Sequence, residues 1–184
     1  MRKFIVISLL LIYFLEGSYS QSCLPEGITF TTQEQIDSFR VNYPYCSRIA
    51  GDIVITGEEI DNLNGLNVLA SLGGDLLITG DLPIHNFSGL ENIMSIDGDV
   101  EFSTLFHIIS YSGLNGLKKI GGNLKLESNY SVLSLQGFDN LDSISGNLLI
   151  RVGGQPDNLA GFDSLSYIGG DMKIEYTGIK DLTG

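Results

Sequence analysis

Gly137-Phe138-Asp139-Asn140-Leu141-Asp142-Ser143-Ile144 is one instance of a phrase that recurs at a fixed interval along the chain. Gly65-Leu66-Asn67-Val68-Leu69-Ala70-Ser71-Leu72 and Gly89-Leu90-Glu91-Asn92-Ile93-Met94-Ser95-Ile96 repeat it. Gly113 and Gly161 complete the series, each glycine standing 24 residues from the next. Self-similarity at this period is the signature of a solenoid. A second shared element follows the phrase: a glycine, an Asp or Asn, and an apolar-x-apolar triplet, as in Gly51-Asp52-Ile53-Val54-Ile55 and Gly122-Asn123-Leu124-Lys125-Leu126. Its six copies carry Asp52, Asp75, Asp99, Asn123, Asn147 and Asp171. The triplet alternates with period two and is rich in Ile, Val and Leu, which reads as a short strand with one buried face. Ile60, Ile84, Ile108 and Val132 at one phase, and Leu63, Phe87, Tyr111, Leu135 and Leu159 at the next, supply further core columns.

A turn of this length cannot bury its own apolar face, so successive coils must stack and pair equivalent strands in one long parallel sheet. Six such strands make a column on the order of 29 Å long. The expected fold is mainly β, a parallel β-helix or leucine-rich-repeat-like solenoid of ~24-residue coils with a helical amino-terminal cap. In the cap, Ile28-Thr29-Phe30 reads as a strand. Thr31-Thr32-Gln33-Glu34 resembles a capping box before a helix ending near Tyr43-Pro44.

The first twenty residues carry Arg2 and Lys3, an apolar run from Phe4 to Leu15, and then small and polar residues up to Ser20, the pattern of a signal peptide. An uncleaved anchor is disfavoured because the run falls short of the roughly 20 residues a bilayer span needs. Lipidation at Cys23 is disfavoured because no aliphatic residue stands in Ser20-Gln21-Ser22. The expected division is a signal peptide over 1–20, a cap over 21–48 and a solenoid over 49–184 that breaks off within a coil, as though cut from a longer protein. Removing the leader takes Lys+Arg from 10 to 8 and Asp+Glu from 22 to 21, a formal charge of about −13. Such a surface repels nucleic acid and anionic lipid. Cys23 and Cys46, exported together, are expected to form a disulfide.

Alternation along the strands predicts two outward columns: Val54, Leu77, Glu101, Lys125, Leu149, Lys173, and Thr56, Thr79, Ser103, Glu127, Arg151, Glu175. Glu101, Lys125, Glu127, Arg151 and Lys173 are read either as cross-strand charge pairs on a solvated face or as part of a ligand-binding sheet. Leu105, Phe106 and His107 from one coil, with Asn129 and Tyr130 from the next, would form either an aromatic binding ridge or inward packing. The Asp52, Asp75, Asp99, Asn123, Asn147, Asp171 column is read as corner capping of backbone N–H groups. A shared cation is its sharper alternative. Asn86-Phe87-Ser88 and Asn129-Tyr130-Ser131 match the glycosylation acceptor pattern, relevant in a eukaryotic host. His85 and His107 stand at different phases, so neither a metal centre nor a histidine-based triad has its parts, and no metal or cofactor is expected.

At these residues the chain resembles the receptor L domain, the leucine-rich-repeat-like right-handed β-helix of insulin and epidermal growth factor receptor ectodomains. The resemblance rests on the opening Cys23-Leu24-Pro25-Glu26-Gly27-Ile28-Thr29-Phe30, on Cys46 after the helix, and on phrases such as Ile120-Gly121-Gly122-Asn123-Leu124-Lys125-Leu126. It is nearest to secreted L-domain proteins of Bacteroidetes. It implies a secreted or cell-surface, non-catalytic module that binds an extracellular protein or glycan through the exposed sheet and adjoining loops, with no catalytic residues to carry over. A structural or adhesive spacer is the alternative. A polysaccharide-acting β-helix enzyme is a remote one, because only the Asp column could supply the paired acidic groups such a site needs, and that column is read as serving the corners.

Overall fold

The computed structural model describes residues 21–183, so the expected signal peptide lies outside the described residues. The chain winds into a β-solenoid of about six turns whose coils are about 24 residues long, and most coils contribute one strand to each of two parallel sheets. The first sheet stacks β1 (Gln21–Cys23), β3 (Cys46–Ile49), β5 (Ser71–Leu72), β7 (Ser95–Ile96), β9 (Lys119–Ile120), β11 (Ser143–Ile144) and β13 (Tyr167–Ile168). The second stacks β2 (Ile28–Phe30), β4 (Ile53–Ile55), β6 (Leu76–Thr79), β8 (Val100–Ser103), β10 (Leu124–Glu127), β12 (Leu148–Arg151) and β14 (Met172–Ile174).

The apolar-x-apolar triplets therefore form a parallel sheet, but two expectations need correction. The triplet sheet has seven strands and not six, because Ile28–Phe30 of the cap pairs in register with Ile53–Ile55. There are two sheets and not one, because the Ser-Ile and Ser-Leu pairs closing the glycine phrase also align, as where Ser143 and Ile144 face Lys119 and Ile120.

The cap holds helix α1 (Gln33–Asn42). Its capping box lies one residue beyond the expected one: the Thr32 hydroxyl accepts from the Gln35 backbone N–H, and the Gln35 side chain accepts from the Thr32 N–H. Ile36 and Phe39 on its inner face are buried, with Phe39 edge-on to Phe30 at 5.8 Å. Gly65 exists for this docking, since a Cβ there would stand 1.9 Å from the carbonyl oxygen of Ile36. Cys23 and Cys46 form a disulfide across β1 and β3, with Cα atoms 5.6 Å apart.

Inside the coils, Leu124, Leu126, Val132, Leu135, Phe138, Leu141 and Ile144 represent the inward positions of one turn, all buried. An aromatic spine runs along the axis: Phe87 lies 4.4 Å from Phe102 and 5.8 Å from Tyr111, and Tyr111 leads through Phe138 to Phe162 at 5.3 and 5.0 Å. Among the described residues no helix is long and apolar enough to cross a membrane.

Candidate functional site

Parallel in-register pairing puts identical strand positions side by side, so outward side chains form rows along the solenoid axis. On the triplet sheet, Lys125 faces Glu101, and Glu127 faces Arg151. The ion pairs also cross between rows, giving one zigzag: Glu101 to Lys125 at 3.1 Å, Lys125 to Glu127 at 2.8 Å, Glu127 to Arg151 at 2.8 Å, Arg151 to Glu175 at 2.8 Å, and Glu175 to Lys173 at 3.0 Å. Signs alternate at every step, so the surface is charged but locally neutral. The Lys125 ammonium donating to Glu127 holds that carboxylate below its ordinary range, and Arg151, helped by Lys173, does the same for Glu175. Ser103 departs from the expected outward row: it is buried, and its hydroxyl donates to Thr79.

At the corner before each triplet, the Asx column forms a hydrogen-bonded ladder. The Oδ1 atoms of Asp52, Asp75, Asp99, Asn123 and Asn147 accept, at 2.7–2.8 Å, from the backbone N–H of the equivalent residue one coil on, ending at Asp171. The Asn123 amide also donates to Asp99. These bonds give the carboxylates of Asp52, Asp75 and Asp99 each a donor in the following coil. Between this ladder and the charge zigzag lies a hollow of about 240 Å³, lined by Asp99, Glu101, Asn123, Lys125, Asn147 and Leu149.

Beyond the triplet strands the backbone turns sharply through left-handed residues, Thr104 and Ser128, both at φ 57°. The next residue then points inward, as Leu105 and Asn129 do, and the one after it points out. Phe106 and Tyr130 are consequently exposed, their rings 5.9 Å apart and within 20° of parallel. Gly153 makes room for this ridge: a Cβ there would stand 2.1 Å from Cδ1 of Tyr130. Three residues further, Ile109 and Leu133 are exposed as well, on segments joined by the Leu133 N–H donating to the Ile109 carbonyl. Two adjoining coils thus present Phe106, Ile109, Tyr130 and Leu133 at 42, 43, 59 and 64% exposure.

Asn129 does not belong to this outer face, nor does its nitrogen suit glycosylation in the folded chain, because its side chain is fully buried. Its amide donates to the Phe102 carbonyl and the Tyr111 hydroxyl, both at 3.0 Å, while its oxygen accepts from the Leu105 N–H. Burial pushes the Tyr111 phenol well above its ordinary pKa. Asn86 is exposed, and its oxygen accepts from the Ser88 N–H in a local turn. His85 and His107 stand at different phases of the repeat yet are neighbours, with ring centroids 6.3 Å apart, and His107 Nε2 lies 3.2 Å from Asp81 Oδ1.

Ile109 and Leu133 are the surface residues that sequence reasoning missed. Their signal is the apolar doublets Ile108-Ile109 and Val132-Leu133, in which the core column needs only the first member. Comparison of the chain with models of known protein families, with curated proteins and with solved structures finds no match.

Proposed function

We propose that this chain is a secreted or cell-surface, non-catalytic recognition module that binds an extracellular protein or glycan through the loop face beside the triplet sheet. The observation that carries the reading is the cluster of Phe106, Ile109, Tyr130 and Leu133 on two adjoining coils. A solenoid whose inward columns are already filled and buried has no folding need for four more large apolar side chains on its outer loops. Exposed clusters of this kind mark contact surfaces. The backbone beneath is locked by coil-to-coil hydrogen bonds, so little ordering cost attaches to binding. The likeness of the opening residues and the repeat phrase to the receptor L domain, together with the signal-peptide pattern, supports the same reading.

A second reading, a structural spacer, draws support from the charge zigzag, whose members are satisfied by one another. An array of immobilised glycans and extracellular proteins, probed with the tag-free chain, separates the two. Recognition requires selective capture that Phe106→Ala and Tyr130→Ala abolish while leaving the melting temperature unchanged. Capture of nothing by a folded chain transfers support to the spacer.

A further inference from the structure

Asp81, His85 and His107 form a small polar cluster at one border of the loop face, and neither the fold nor the proposed recognition uses it. The two coils are pinned together at this point, since the Ile109 N–H donates to the His85 carbonyl at 3.0 Å. All three side chains are open to solvent. As placed, no three His, Cys, Asp or Glu side chains among the described residues converge on a point that could hold a metal ion. His107 and Asp81 already lie within reach of one another, and His85 is the member that would have to move. Ligands on a tetrahedral ion, with bonds of about 2.0–2.2 Å, stand about 3.4 Å apart. The 3.2 Å between His107 Nε2 and Asp81 Oδ1 is already of that size. Two imidazoles on one such ion have ring centroids about 5 Å apart. Their present 6.3 Å separation exceeds that by about 1 Å, a gap for rotation of the exposed His85 side chain to close on ion binding.

We propose that His85 and His107, with Asp81 as third donor, bind a borderline divalent transition-metal ion of the Zn²⁺, Ni²⁺ or Cu²⁺ class. Two neutral imidazoles and one carboxylate suit these ions and do not suit Ca²⁺ or Mg²⁺, which take oxygen donors. Three protein donors on an exposed site leave at least one position for water or for a donor on a bound molecule.

Calorimetric titration of the tag-free chain with zinc chloride and with nickel chloride tests the site. One ion per chain is expected, with His85→Ala and His107→Ala each weakening binding by more than about tenfold and Asp81→Asn by less. Circular dichroism must show the variants folded, which their exposure favours. With Cu²⁺, the electron paramagnetic resonance spectrum should show two coordinated imidazole nitrogens, falling to one in either histidine variant. Absence of binding, or binding that survives the double histidine substitution, overturns the proposal.

Discussion

Asn129 sits where the neighbouring coils turn Leu105 and Val152 inward, so a polar side chain occupies an apolar column. Its cost is met because the amide and its oxygen engage Phe102, Tyr111 and Leu105. Asn129→Ala would strand those partners and leave a cavity, and chemical denaturation should report a loss of about 2–4 kcal/mol. Tyr111→Phe, which removes one partner only, should cost less. Ser128 illustrates a different kind of position. Its Cβ is strained at positive φ by about 1–2 kcal/mol, so Ser128→Gly should raise the melting temperature modestly once glycine's entropy is set against the relief. Thr104→Gly should show no such gain, because the Thr104 hydroxyl accepts from the Gly80 N–H at 3.1 Å and donates to the Ser103 carbonyl at 2.6 Å. The inward turn of Asn129 was illegible in the sequence for this reason. The reversal depends on a left-handed Ser128, and serine does not advertise that conformation as glycine does.

Among the elements, the triplet strands carry the charge zigzag, and its effect on stability has a definite sign. Glu127 and Glu175 have folded pKa values depressed below their ordinary value of 4.5, so their contribution is present above the unfolded carboxylate range and is lost as pH falls through the depressed range. The urea midpoint should therefore drop between about pH 5 and pH 2, and Glu127→Gln should flatten part of that drop. Lys125 is raised, so its share persists through neutral pH and is lost only above the ordinary lysine range. Added salt should shrink the effect, since these pairs are partly exposed. Strand alternation made the outward rows legible, because a one-residue slip would expose Ile53, Leu76 and Val100 together. The second sheet was not legible: β5, β7, β9, β11 and β13 are two residues long, too short for any alternation to register. Ile109 and Leu133 were lost for a related reason, each being adjacent in sequence to a true core residue. The closeness of His85 and His107 was missed because they stand 22 residues apart and so share no phase of the 24-residue repeat; only the meeting of their side chains across adjoining coils makes them neighbours.

At the scale of the whole molecule, stability is a sum over coils and the contacts between them, so damage at a junction divides the stack. Gly113→Val would place a Cβ 2.2 Å from the Phe87 backbone at φ +103°, and the variant should become open to limited proteolysis near residues 87–113. Replacing Cys23 and Cys46 by serine removes a cross-link between residues 23 apart in sequence and should cost about 3 kcal/mol. Hydrogen exchange should then show β1 and α1 losing protection before β8 and β10. The Asx ladder bears on a different property, length. Each rung joins a side chain to the backbone of the following coil, and Asp and Asn serve interchangeably at the rungs. A whole 24-residue unit could accordingly be added or removed without changing the kind of partner any rung meets, moving all that follows by about 4.8 Å. The solenoid is in that sense a graduated ruler, able to carry the Phe106–Tyr130 face nearer to its cap or farther from it in steps of one coil.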